Sequence, residues 1–424
     1  MWRRLTLLIV AAATAITGAS AGPLDDWQTR KSDLSAKGVT PSLIYDGALI
    51  TNVQGGAQRG SVYVGALHAQ AQLDGSILFG APGLIFYFDA LDVEGGRPDS
   101  LVGDAQGINN IAAPPQLALY EAWSQYNSPD SSFSLLAGQY DLNSEFDRVR
   151  SASMFLNSSF GIGADFASSG KSGPSIYPDT SLGLRLAYKP AANVVWRTAI
   201  LDGAPVNTPP GAPEPFSPDA GFLFVSEVAF LVRPGTTMPP GQARSLVGRA
   251  SNLAPYQDKL AVGGWYYTAS FADLSETGLL GNPVQHRGSA GAYLDVDKLL
   301  YRSPPGANGT VYGFLQLGYG DDRVNRFGSY LGIGVTADGF VPGRSKDEIG
   351  LAVAAGRASS HFVAAQENTE QPVTSSETAI ELTYLGQLTP QLAVQPDLQY
   401  VIDPGNDPRR ANALVLQVQF ELSL

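Results

Sequence analysis

The fold is decided by the stretch 392-LAVQPDLQYVIDPGNDPRRANALVLQVQFELSL-424. From Leu414 onward the even positions are apolar without a break: Leu414, Leu416, Val418, Phe420, Leu422 and Leu424. Most positions between them are polar, namely Gln417, Gln419, Glu421 and Ser423. Successive side chains of a strand point to opposite faces, so one face meets an apolar medium and the other meets water. Ala411–Leu424 is long for a strand in a soluble protein, whereas a tilted strand crossing a bilayer needs about 9–11 residues. Taken alone, the stretch fits the closing strand of an outer-membrane barrel or a terminal strand of a soluble sandwich. The rest of the chain separates the two.

Upstream, the same alternation recurs at Pro41–Val53, Ser61–Leu73, Gly83–Glu94, Gln116–Tyr126, Phe133–Tyr140, Ser181–Lys189, Asn193–Gly203 and Gly221–Val232. It continues at Lys259–Ser270, Arg287–Asp297, Gly309–Tyr319, Gly328–Ala337, Glu348–Ser359, Ser376–Leu385 and Gln391–Ile402. With the last stretch this makes about 16 strands, an even number of porin size. The fold class expected is therefore all-β, a transmembrane antiparallel β-barrel over 41–424 with one long loop folded inward. With both termini periplasmic, the connections alternate between outside and inside, starting outside. The inner set then holds short turns such as Pro190–Ala192 and Gly386–Pro390. The outer set holds Gly95–Pro115, Asp141–Thr180, Ala204–Ala220 and Ser360–Val373. Short inner turns with long outer loops are the asymmetry of outer-membrane barrels. One connection breaks it: Arg233–Asp258 is long and proline-rich but falls inside, as a periplasmic insertion or a fault in the strand count.

Met1–Ala21 has the three parts of a secretory signal peptide: Arg3 and Arg4, an apolar run from Leu5 to Ile16, and the small-residue site Ala19-Ser20-Ala21. Residues 22–40 then form a short periplasmic segment, in which Leu24–Gly38 is polar enough for an exposed helix with Trp27 and Leu34 as its apolar positions. No later apolar run approaches the ~18 residues of a membrane helix. The 424-residue chain has no cysteine, which excludes disulfides, thiolate metal sites and cysteine catalysis. Its net charge of −12 repels nucleic-acid phosphates, so nucleic acid is not a partner.

A bilayer explains the architecture. Hydrocarbon offers no hydrogen bonds to backbone groups, so a sheet edge must be closed. Outward positions then carry apolar side chains and inward positions polar ones. An arginine facing lipid at mid-bilayer costs roughly 2–4 kcal/mol, so charged strand residues belong in the lumen. By this rule Glu121, Trp123 and Gln125 share an inward face, and Arg185, Arg197, Glu227, Glu381, Asp397 and Gln399 also point inward. Each either contacts cargo or supports the wall. Asp141–Thr180 falls third among the outer loops by chain order, the place of the loop that narrows many 16-stranded porins. Asp141, Asn143, Glu145, Asp147, Arg148 and Arg150 give it polar groups of both signs, with Phe146 and Phe155 for packing. Opposed charges across an opening order water and favour polar solutes.

Signals of catalysis are poor. The three histidines, His68, His286 and His361, show neither triad nor metal-ligand spacing, and no acidic couple or phosphate loop stands out. Neither catalytic residues nor metal ligands nor cofactors are expected.

The chain resembles the carbohydrate-selective porins of the OprB type over nearly all of its mature length. The resemblance rests on Asp26-Trp27, Arg30, Leu34, Gly38-Val39, Asn52 and Gly55-Gly56, then Glu121 and Trp123. It continues through Gly138-Gln139-Tyr140-Asp141, Asn143, Phe146, Phe155-Leu156-Asn157-Ser158-Ser159-Phe160, Tyr177-Pro178 to Gly183, and Asp202-Gly203. Tyr293, Tyr301, Pro342-Gly343-Arg344, Asp347, Glu377 and Glu381 follow, and Gln395-Pro396-Asp397-Leu398-Gln399-Tyr400 with Pro404 is the most specific element. The resemblance implies a barrel of 16 strands in the outer membrane of a Gram-negative bacterium. It would admit monosaccharides such as glucose, and similar small polar solutes, to the periplasm by passive diffusion. Aromatic faces such as Trp123 would stack on sugars while charged and amide groups bond hydroxyls. Partners would be outer-membrane lipids, small sugars as cargo and the barrel-assembly machinery, with a homo-oligomer compatible. The terminal Leu424 and the Arg233–Asp258 insertion depart from the family pattern. A general-diffusion porin, a glycan-acting enzyme and a soluble periplasmic binding module are the alternatives.

Overall fold

Sixteen antiparallel strands pair in chain order, each with the next, and β1 closes onto β16. In the computed structural model, which describes residues 23–206, 216–232, 257–304 and 309–424, the strands are β1 Val39–Gln54, β2 Gly60–Asp74, β3 Leu84–Gly95, β4 Gln116–Asn127, β5 Phe133–Tyr140 and β6 Ser181–Ala191. They continue with β7 Val194–Asp202, β8 Phe222–Val232, β9 Asp258–Thr277, β10 Pro283–Arg302, β11 Thr310–Gly320 and β12 Phe327–Asp338. The last four are β13 Glu348–Ala358, β14 Ser376–Gln387, β15 Leu392–Ile402 and β16 Ala413–Ser423. Every expected segment is present as a strand, and the all-β barrel is confirmed.

The closing strand behaves as its alternation requires. On β16, Leu416 and Val418 are exposed on the outer wall, while Gln417, Gln419 and Glu421 are buried inside. It pairs with β1 from Ile44↔Ser423 to Gln54↔Leu414, and with β15 from Leu392↔Leu422 to Val401↔Ala413. The terminal Leu424 extends the seam: its N–H donates to the Leu43 carbonyl at 2.8 Å and its carbonyl accepts from the Leu43 N–H at 3.1 Å. Around the barrel the same outward row carries Leu49, Phe88, Leu184, Phe224, Val262, Ile333 and Leu382.

Three strands differ from the expected pattern. In β4, a register shift opposite Asp89/Ala90 turns both Tyr120 and Glu121 inward, a bulge that strict alternation cannot foresee. In β9 and β10, pairing runs well past Ser270 and begins before Arg287, so the two strands form an arm beyond their neighbours. Apolar alternation fades there because no lipid covers the arm's outer face. The arm is tied down by a carboxylate instead. Asp273 accepts from His286 Nε2 at 2.8 Å, and His361 Nδ1, on the helix Ser360–Asn368, lies 2.9 Å from its other oxygen.

A helix, Pro23–Ala36, precedes β1, with Trp27 half-buried and Leu34 exposed. Most of Arg233–Asp258 lies outside the described residues, as do the signal segment and part of Ala204–Ala220. The strand count on either side of Arg233–Asp258 stands, so β8 and β9 are consecutive strands of the barrel.

Candidate functional site: the luminal loops and the wall that holds them

Connection 141–180 is the third outer loop and fills much of the lumen. It folds as short turns rather than a helix because Asx groups compete with helical bonding. Asp141 caps Leu142–Ser144 by accepting the Asn143 N–H at 2.9 Å, and Asn157 caps Ser158–Phe160 by accepting the Ser159 N–H at 3.1 Å. Asn143 cross-braces the loop, its amide donating to the carbonyls of Phe146, Asp147 and Gly161 at 3.1, 3.1 and 2.8 Å. Aromatic side chains then press it on the wall. Phe166 stacks on Trp265 with centroids 4.1 Å apart, and Phe155 and Phe160 pack against Phe314.

On one arc, β6 to β10, the wall meets this loop through a ladder of alternating charge. Arg185 Nε lies 2.6 Å from Glu145 Oε2, and Arg197 Nε lies 3.5 Å from the other oxygen of Glu145. Arg197 reaches on to Glu227 at 3.5 Å, and Lys259 sits between Glu227 at 3.6 Å and Asp295 at 3.5 Å. Lys259 also donates to the Arg148 carbonyl at 2.8 Å, and Asp297 accepts from the Ser151 hydroxyl at 2.8 Å. Burial opposes the charge of Glu145, but Arg185 and Arg197 outweigh it and hold its carboxyl below the usual range. Asp147 and Asp165 of the loop have no such cations, and burial pushes each up to about 7.

The opposite arc, β13 to β16, presents carboxylates and amides. Glu381 accepts the Leu156 and Asn157 N–H groups at 2.5 and 3.0 Å, and Gln395 donates to the Met154 carbonyl at 2.8 Å. Gln399 and Gln417 both donate to the Ile108 carbonyl, at 2.9 and 3.0 Å, and both donate to Asp397. Ile108 belongs to the second outer connection, 96–115, which therefore also folds into the lumen. Its Asp104 is half-buried, and its desolvation, with the charge of Glu377 behind it, pushes the carboxyl up to about 7.

The expected site residues separate by their place on this frame. Glu145, Arg185, Arg197 and Glu227 come together in the ladder. Glu381, Asp397 and Gln399 gather on the opposite arc, where all three are buried. Glu121 accepts the Asp141 N–H at 3.1 Å, while Tyr120 donates to Asp141 at 2.8 Å, so these fix the start of the loop. Asn143, Glu145, Arg148 and Arg150 remain half-buried; the Arg148 guanidinium donates to the Ser144 carbonyl at 3.2 Å and that of Arg150 lies 4.5 Å from the Tyr312 ring centroid. Asp147 is buried, and its N–H donates to Glu227 at 3.3 Å.

Trp123 corrects an expectation. It is 3% exposed, stacks on Tyr87 with centroids 5.0 Å apart, and donates its indole N–H to Glu121 at 3.3 Å. A ring so enclosed supports the wall and offers no platform to a sugar. Lys259, Asp295 and Asp297 are not among the residues expected from sequence, although alternation on their strands places all three inward; Glu377 enters the sequence reading only through the family resemblance. Tyr120 carried no such signal, because the bulge hides it. Among the described residues, no group of three or more histidines and carboxylates is arranged to hold a metal ion.

A closed barrel of 16 strands, with an apolar outer row, polar inner groups and loops folded into the lumen, defines an outer-membrane porin. The profile of the carbohydrate-selective porin, OprB family, matches residues 58–424, and the chain belongs to that family. It is 23% identical over 441 aligned residues to Porin B of Pseudomonas aeruginosa, covering 97% of this chain and 93% of that protein. The high-pH structure of Pseudomonas putida OprB superposes with a TM-score of 0.79 at 19% identity, covering 94% of this chain and 97% of that one. The outer-membrane channel DcaP of Acinetobacter baumannii shares the fold more distantly, with a TM-score of 0.51 at 8% identity over 91% of this chain and 97% of that one. The protein is thus a carbohydrate-selective porin of the outer membrane of a Gram-negative bacterium, a channel by family and fold.

Proposed function

We propose that the porin passes monosaccharides such as glucose by passive diffusion, through an opening bounded by the half-buried polar groups of the third outer loop. The observation that carries this is the set Asn143, Glu145, Arg148 and Arg150, which keeps an amide and both signs of charge partly accessible on a loop braced against both arcs of the wall. A sugar has donors and acceptors all round, so a rim of both kinds replaces its water shell at little cost. A pore for phosphate would want an excess of positive charge, whereas every cation of the ladder here faces a carboxylate.

The same proposal covers the rest of its biology. Met1–Ala21 is removed on export, residues 22–40 remain in the periplasm, and the barrel-assembly machinery inserts 41–424. No reaction is catalysed. Association of barrels of this chain into a homo-oligomer through their apolar outer walls is part of the proposal. Solute flux into liposomes carrying the full mature chain tests the function. Glucose is expected to enter several times faster than amino acids of similar size; equal rates would leave a general-diffusion pore.

A further inference from the structure

The lumen is narrowed by two loops, and one strand holds both. On β14 the inward positions run Glu377, Ala379, Glu381. Glu377 is buried and accepts four times from backbone: Ala105 N–H at 2.8 and 3.1 Å to its two oxygens, Gln106 N–H at 2.9 Å, and Gly405 N–H at 2.5 Å. Its own carbonyl accepts from the Gln106 side chain at 3.0 Å. Four residues along the same face, Glu381 accepts Leu156 N–H at 2.5 Å and Asn157 N–H at 3.0 Å. The first glutamate thus grips connection 96–115 and the second grips connection 141–180. Between them stands Ala379, buried and small enough for both loops to approach the wall.

The gripped segments also touch one another. The Ser158 N–H donates to the Gly107 carbonyl at 2.8 Å, and the Ser159 hydroxyl donates to the Gln106 carbonyl at 3.2 Å. Each contact lies within two residues of a backbone N–H taken by β14. Both loops are therefore fixed to β14 at neighbouring points, in addition to their bonds with β15, β16 and the opposite arc. A carboxylate suits this task because it only accepts, and it meets two or more N–H groups with charge-assisted bonds. An amide in its place would turn an N–H toward a backbone N–H.

We infer that Glu377 and Glu381 are positioning residues that set the width of the passage between the two loops, without touching cargo. The inference rests on the porin reading above and names the device that gives it a size limit. Neutral sugars of increasing size are the right probe, since they do not feel the loss of a buried charge. Flux of glucose, a disaccharide and a trisaccharide is measured in liposomes with the full mature chain, Glu377→Gln, Glu381→Gln and the two aspartate variants. Each glutamine variant is expected to raise the disaccharide-to-glucose ratio roughly severalfold by releasing one loop, and each aspartate variant to recover part of the limit because it keeps an acceptor-only group.

Heat-modifiable migration in detergent gels reports whether each barrel has closed. If the Glu381→Gln variant fails to close, Leu156→Pro removes one of the two Glu381 bonds from the loop side while leaving β14 intact, and a smaller rise in the same direction is expected. Unchanged ratios in closed barrels would overturn the inference, as would equal behaviour of the glutamine and aspartate variants. Failure of the porin reading looks different: the wild-type barrel would then pass glucose and amino acids alike, whatever the variants do to the size limit.

Discussion

The arc from β6 to β10 and the arc from β13 to β16 hold the same loop in different ways. On the first arc, side chain meets side chain: Arg185 and Arg197 share Glu145, and Lys259 sits between Glu227 and Asp295. On the second, side chain meets backbone: Glu381 takes two loop N–H groups and Gln395 a loop carbonyl. The first arrangement depends on which residues the loop carries, and it leaves charged groups partly exposed to solute. The second depends only on the loop's path, and it is sealed. Both arcs anchor the loop, and in the proposed function recognition of solute falls to the first side of the lumen.

The largest effect expected from breaking this comparison comes from Arg185→Met. Arg185 is buried, and its guanidinium also binds Gln125 at 2.8 Å and the Ser134 hydroxyl at 2.8 Å. Removing one member of a buried pair commonly costs about 3–5 kcal/mol. Hydrogen exchange of residues 141–150 should rise accordingly, while exchange near Leu156 on the opposite arc stays slow. Equal loosening at both places would mean that the two anchorages are one.

A smaller effect should appear with pH, and with opposite sign on the two sides. The Glu145 carboxyl is held below its ordinary value, so its contribution to docking is present above that value and is lost as pH falls through the lowered one. Asp104 is raised to about 7, so its contribution is present below the ordinary carboxylate range and is lost as pH rises through about 7. Protection at residues 103–108, taken relative to the intrinsic amide exchange rate at each pH, should therefore fall between pH 5 and pH 8 by up to about two orders of magnitude, given about 1.4 kcal/mol per pKa unit over the two units up to about 7. Asp104→Asn should remove that change. Protection at 141–150 should not fall over the same interval.

Much of the fold was legible because a bilayer imposes one rule on every strand. A lipid-facing position must be apolar, so Leu416 and Val418 outside and Gln417 and Gln419 inside reveal register directly. The rule lapsed where lipid ends, which is why β9 and β10 run longer than their apolar alternation, and where a bulge interrupts the period, as at Tyr120. The site was legible in direction but not in role. Alternation placed Glu121, Glu227 and Glu381 inward, yet it could not tell a group facing solute from one consumed by the loop's own N–H groups. Trp123 shows the same limit: an inward aromatic reads as a platform until Tyr87 is seen stacked against it.

The division of labour between the arcs is tested most directly by a crystal structure of the porin with glucose bound. The sugar is predicted to sit against Asn143, Glu145, Arg148 and Arg150, with Trp123 still stacked on Tyr87 and Glu381 still bonded to Leu156 and Asn157. Glucose stacked on Trp123, or bonded to Glu381 in place of the loop, would contradict it.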